Sequence, residues 1–494
     1  MAKKTPFNDL AFRPIVPGKP IATWLYEELR AAILDGRLKA NTRLPSTRYL
    51  AAQHGIARGT VIAAFEPLLE EGYLESRQGS GSYVAANLPD RFFHAALAQE
   101  PLKTVPLSEA SLSTWGAQLR ATFPPRTFNE VGLPLEANLP ALDLFPIALW
   151  GRLAGRRIRN ASHRLLGSGE STGYLPLRQA VADHLGTARG VKCTADQVII
   201  VSGTQQTLQI IASLVLDPGD RVWMEDPGYI GALAAFKAAK AEIIPVPVDA
   251  QGMNVEQGQR LAPRAKLAYI TPAHQFPLGV SLSLERRLAL LRWAHRAKAW
   301  IFEDDYDSEY RFSGRPLPSL QSLDASQCVI FAGSFNKMLF PTLRLGYVVL
   351  PPKLVEPFLH ARGMSDRFAA VLDQAVLCDF FTEGHFGQHI RRMREAYAER
   401  LSALLETART GPLAGLVEIA SIQAGMQTAA ILPAHCPDLA ATRTAATHGI
   451  DVLPLSVFQL QRTDINGLLL GFANFTPAAI RKAAQKLAKA LSSM

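Results

Sequence analysis

Lys337 closes the word Ser334-Phe335-Asn336-Lys337, just after the apolar run 328–332, and Arg344 follows seven residues later. A lysine amine held at the end of a buried strand can condense with an aldehyde. An aldehyde cofactor built on a pyridine ring makes further demands: a carboxylate at the ring nitrogen, a cradle for its phosphate and a flat surface against the ring. Each demand has a candidate. Residues 301–305 read as a strand ending in acids, with Asp304 for the ring nitrogen and Tyr306 for the ring hydroxyl. The apolar strand 198–201 runs into Ser202, Gly203, Thr204 and Gln205, at the start of a helix where backbone N–H groups bind phosphate. Ser334 and Arg344 can complete that cradle with charge-assisted hydrogen bonds, and Tyr229 can stack on the ring. Singly, each is ordinary: a lysine beside a strand is commonly a solvated surface residue. Together they describe a site for pyridoxal 5'-phosphate with Lys337 as its amine. The four cysteines lie far apart with no metal-type spacing, so no metal site is expected.

A second constellation lies near the start. No acidic residue falls between Asp35 and Glu66, while Arg37, Lys39, Arg43, Arg48 and Arg58 do. A basic stretch by itself describes only a solvated face. Here it coincides with two short helices joined by a turn at Gly55, followed by a hairpin with the glycine-rich tip 77–81. Helix, turn, helix and wing make a reader of double-stranded DNA. Arg58, Gly59 and Thr60 would meet base edges, and Arg43, Ser46, Thr47 and Arg48 would meet phosphates. Arg77 and Gln78 on the wing would enter a minor groove or touch phosphate.

Both constellations need scaffolds. Apolar residues at helical spacing over 21–34, Ser46 as an N-cap for a helix to His54, and a helix over 58–70 containing Pro67 build the first. Residues 19–86 form that unit. Residues 87–131, with five prolines, read as a linker with one short helix near 91–99. Residues 132–494 alternate helical and strand patterns, as an α/β domain does. At 494 residues, 48% apolar and 19% charged, the chain has the composition of a multidomain soluble protein. Its net charge of +9 favours an anionic partner. No run is long enough to span a membrane and no secretory signal is read at the start, so a cytoplasmic location with reduced thiols is expected.

Residues 33–38, 43–48, 60–61, 68–74 and 79–84 resemble the winged helix-turn-helix of the GntR family. The pattern departs at Ala57, where serine is frequent, and at Gly59, where asparagine is. Leu144-Phe145-Pro146 with Trp150, residues 173–178, 202–206, 218–220, 225–229, 271–279, 303–309, 334–337 and 344–347 resemble fold-type I aminotransferases. In this combination they are similar to MocR/GabR-type regulators, which fuse the two. That resemblance implies a winged helix-turn-helix joined to a PLP-dependent transferase domain, working as a homodimer. It implies a transcription regulator that senses an amino compound, or the cofactor, through the second domain. The effector side does not carry over. Gly231 stands where some relatives place a carboxylate-binding arginine, no arginine lies between Asp451 and Leu460, and Arg462 is only nearby. Asn336 replaces a usual serine, Gln427 a common histidine, and Ser168 a usual tyrosine.

Two rivals remain at this stage: an active aminotransferase with a vestigial head, and a regulator whose large domain has lost the cofactor. Fold alone does not choose between them.

Overall fold

The computed structural model describes residues 12, 18–77, 80–88, 112–122, 132–167, 169–314 and 318–494. Backbone contacts divide the chain into two units, Met1–Leu112 and Ser113–Met494. The short helix expected near 91–99 lies outside the described residues. Within the expected linker, a nine-residue helix at Thr114–Thr122 was not anticipated.

The first unit holds three helices, α1 (Ile21–Leu34), α2 (Thr47–His54) and α3 (Arg58–Glu70), then strands β1 (Leu74–Arg77) and β2 (Gly81–Val84). Ser46 caps α2, its hydroxyl accepting from Tyr49 N at 3.3 Å. Gly55 ends α2 in the left-handed region at φ 66°, a conformation glycine adopts without strain. Helix α3 continues through Pro67 to its last residue. Trp24, Leu25, Leu29, Leu50, Val61 and Phe65 make the core. β1 and β2 pair antiparallel as the wing, and Arg43 adds a bridge to Tyr83.

The second unit is built on an eight-stranded sheet of β3 (Val198–Val201), β4 (Arg221–Asp226), β5 (Glu242–Asp249), β6 (Gly252–Met253), β7 (Leu267–Ile270), β8 (Trp300–Asp305), β9 (Val329–Ser334) and β10 (Gly346–Val349). The spatial order is β3-β10-β9-β8-β7-β4-β5-β6. The pairs from β9 through β8, β7 and β4 to β5 are parallel, while β10 runs antiparallel to both β3 and β9. Strands such as Val198-Ile199-Ile200-Val201 are buried along their whole length. Successive residues enter different cores: Val198 and Ile200 join one, Ile199 and Val201 another. Helices cover both faces, so these strands read as continuous apolar runs rather than alternating ones. A second, antiparallel sheet of β11 (Glu418–Ile419), β12 (Gln427–Ile431), β13 (Leu453–Pro454) and β14 (Gly467–Gly471) has the order β11-β12-β14-β13.

Candidate cofactor site and nucleic-acid surface

The topology brings the sequence candidates to one edge. Parallel strands β4, β7, β8 and β9 end at the same side of the sheet. β3 shares their direction and β10 opposes it, with Gly346 registered against both Ser334 and Val201. The end of β3, the start of β10, and the ends of β9, β8, β7 and β4 therefore present Ser202, Arg344, Lys337, Asp304, His274 and Tyr229 along one rim. The carboxyl rim of an open α/β sheet is where ligands bind.

Lys337 sits half-buried in the short helix Phe335–Met338. Its Nζ donates to the carbonyl of Asn138 at 3.0 Å. Asn138 adopts φ 70°, and its own N–H donates to Gln427 Oε1 at 2.8 Å. Asp304 is 5% exposed. Its Oδ2 accepts from the Tyr269 hydroxyl at 2.8 Å, and its Oδ1 is buried with no hydrogen-bond partner. Burial pushes the Asp304 carboxyl up to about 7, against the pull of the Tyr269 hydrogen bond and of the Lys337 charge. A buried carboxylate with an open lone pair and a raised pKa is what a protonated pyridine nitrogen complements. The residues present thus fit pyridoxal phosphate.

Tyr306 Oη lies 3.0 Å from His274 Nδ1, which lies 2.8 Å from Asp307 Oδ2. His274 and Asp307 are 3% and 1% exposed. With Nδ1–H directed at the Asp307 carboxylate, Nδ1 has no lone pair to accept the Tyr306 proton, which is free to donate elsewhere. Burial, with Asp307, Asp304 and Glu225 nearby, raises the Tyr306 phenol well above its ordinary value and keeps it protonated. Tyr229 is half-buried, packed edge-on to Phe276 at 5.8 Å, and burial and Asp304 raise it to about 12. Gly231 leaves room for that ring, since a Cβ there would come within 2.5 Å of Tyr229 Oη.

The phosphate candidates cluster at the start of helix Thr204–Val215. Gly203 caps it at φ 147°, with no side chain filling the cap, so the first N–H groups keep their ligand-binding role. Asn336 accepts from Leu345 N at 3.0 Å, and its Nδ2 would lie 3.4 Å from a Cβ at residue 203. It thereby ties the lysine segment to the cradle. Ser202 N–H donates to Gln206 Oε1, and Gln205 Nε2 donates to the carbonyl of Gly231. Ser334 is buried beside the lysine helix. Arg344 sits at φ 53° with an exposed side chain, two residues before β10. Arg462 is bound to Asp464 and to the carbonyl of Val248.

Sequence reasoning gave no role to Asn138, Tyr269, His274, Asp307 or Gln427. For His274 and Gln427 the motif context was a usable signal. Asn138 meets Lys337 across 199 residues, and no local pattern announces that.

In the first unit, Arg43, Ser46, Arg48, Arg58, Gly59 and Arg77 are exposed, while Thr47 and Thr60 are half-buried. Gln78 lies outside the described residues. Arg58 Nε donates to Thr47 Oγ1 at 3.3 Å, joining the starts of α3 and α2. Arg77 stacks over the Tyr83 ring at 4.4 Å and donates to Asn41. Nothing lies within 4 Å of a Cβ at Gly59, so the start of α3 presents bare backbone. Tyr49 and Ile62, 52% and 38% exposed, lie on α2 and α3 and were not singled out from sequence.

Among the described residues, no helix is long and apolar enough to cross a membrane, and no group of three or more acidic, histidine or cysteine side chains could hold a metal.

Comparison with known proteins agrees with this two-part layout. The model for bacterial regulatory proteins of the gntR family matches residues 22–84, and that for aminotransferase class I and II matches residues 135–487. The probable rhizopine catabolism regulatory protein MocR of Rhizobium meliloti is 41% identical over 471 residues, covering 95% of this chain and 94% of that protein. The HTH-type transcriptional regulator TauR of Rhodobacter capsulatus is 33% identical, covering 94% of this chain and 96% of its own. Among solved structures, LysN, the alpha-aminoadipate aminotransferase of Thermus thermophilus complexed with N-(5'-phosphopyridoxyl)-L-leucine, has a TM-score of 0.68. It is 28% identical and covers 73% of this chain and 92% of its own.

Proposed function

The chain belongs to the MocR-type regulators, in which a GntR-type head is joined to an aminotransferase class I and II domain, and from that premise we propose that an amino compound bound at Lys337 alters how the head engages operator DNA. It is a DNA-binding transcriptional regulator with a pyridoxal-phosphate-binding body. When bound, the cofactor supplies an aldehyde that a primary amine can occupy in place of the lysine.

The protein's own groups have the following roles in this reading. Asn138 holds the Lys337 amine, Asp304 keeps the ring nitrogen protonated, and Tyr306, steadied by His274 and Asp307, donates to the ring hydroxyl. Tyr229 lies against the ring. Ser202, Gly203, Thr204, Gln205, Ser334 and Arg344 take the phosphate. In the head, Arg58, Gly59 and Thr60 read bases, while Arg43, Ser46, Thr47, Arg48, Arg77 and Gln78 hold the backbone. The head spans 19–86, the linker 87–131 and the body 132–494. The protein acts in the cytoplasm as a homodimer, since two heads on two half-sites gain affinity by linkage.

Control requires that the effector bind the two arrangements of head and body unequally. The observation that carries the reading is the buried, unpartnered Asp304 Oδ1 on the same rim as a lysine amine held by Asn138. The test is an absorbance titration of cofactor-loaded protein with amines, run beside binding to its own upstream DNA. A shared midpoint for the spectral change and the change in DNA affinity is expected. Amino-group turnover without sequence-selective DNA binding would instead identify a working aminotransferase.

A further inference from the structure

We infer that Gln427 recognises the effector, and that the effector is a primary amine carrying a neutral oxygen acceptor rather than a carboxylate. This rests on the sensor reading above and deepens it. Gln427 is 2% exposed. Its Oε1 accepts from Asn138 N, which fixes the amide orientation, and its buried Nε2 faces the Tyr306 hydroxyl without completing a hydrogen bond to it. The same Asn138 holds Lys337 Nζ through its carbonyl. An unpaired donor thus stands one residue removed from the reactive amine. Buried donors are nearly always paired, so one left open beside a ligand site marks a ligand contact.

The surroundings decide what that contact is. Register places Gln427 opposite Gly471, and Ala429 opposite Leu469, which is in turn opposite Leu453. These residues share one face of the small sheet. That face joins Ala137, Phe276, Leu455 and Phe458 in an apolar cluster against which Tyr229 and Tyr306 pack. A carboxylate in such surroundings would need a cation, because an unpaired charge is far costlier to bury than a hydroxyl or ether oxygen. Of the arginines in this part of the body, Arg462 is ion-paired with Asp464, Arg311 donates to the neutral Gln423 Oε1 at 2.8 Å, and Arg344 turns an exposed side chain outward. A neutral amide N–H pairs a hydroxyl, ether or amide oxygen without a counter-ion.

Matched probes test this. Cofactor-loaded protein is titrated with L-alaninol and with L-alanine, which differ by a hydroxymethyl group in place of the carboxylate, following both absorbance and operator affinity. L-alaninol is expected to act at a concentration at least about ten-fold lower. In Gln427→Met, which removes the donor without adding a charge, the ratio should fall towards one. Gln427→Leu serves if the methionine variant does not fold. L-alanine equal to or better than L-alaninol in the wild type overturns the inference, as does a ratio unchanged in a folded variant. Hydroxylamine separates the two levels. No response to it overturns the sensor reading itself and the inference with it. A response to it without an alaninol preference overturns the inference alone.

Discussion

The head and the body carry their functional residues in opposite ways. In the head, Arg43, Arg48, Arg58 and Gly59 stand exposed around the starts of α2 and α3, over a small core of Trp24, Leu29 and Phe65. In the body, Asp304, His274, Asp307 and Gln427 are each 5% exposed or less, held by hydrogen bonds between distant segments. The head works by surface charge, whose contribution is screened by salt. The body works by buried polar groups, whose state is set by burial and by their partners. A partner as large and charged as DNA needs the first. A small cofactor, whose ring must be protonated and oriented, needs the second.

The contrast can be broken most severely at the lysine. Lys337→Ala is expected to abolish the visible absorbance of the bound cofactor; a retained band would move the amine elsewhere. Asp304→Asn removes one charge-assisted hydrogen bond, about 1.5–3 kcal/mol, so cofactor affinity should fall about ten- to a hundred-fold by equilibrium dialysis. Arg58→Ala should cost about 1–3 kcal/mol of specific operator affinity, and unchanged affinity would remove α3 as the reading helix.

The two regions should also separate by pH. Burial raises Asp304 and Glu303 to about 7 and Glu225 to about 8, and raises Asp305 as well. In this range the folded body binds more protons than the unfolded chain. The stability of the cofactor-free body should therefore be greatest near pH 4–5 and fall as pH rises towards about 8. Thermal melts of apoprotein across that range check it, and cofactor loading should flatten the slope by partnering Asp304. The smallest effect is expected in the head: Ser46→Ala removes the α2 cap, costing about 1 kcal/mol in a denaturant melt.

Much of this was legible without coordinates. Helix α1 runs over the residues its apolar spacing marks, and Ser46 caps α2 as its residue type implies. The strands ending before Ser202, Tyr306 and Lys337 lie within a residue or two of their apolar runs. Other features were not legible. The helix Thr114–Thr122 lies in a stretch with weak periodicity and flanking prolines.

By itself the amino-acid sequence determined the kinds of element, their order, and which strand end carries the amine, because caps, turns and apolar periodicity act over a few residues. Only tertiary structure decided that Asn138, Lys337 and Gln427 form one hydrogen-bonded chain, across separations of 199 and 289 residues. Which buried donor meets which acceptor depends on how sheets and loops pack in space, and no short-range pattern encodes that.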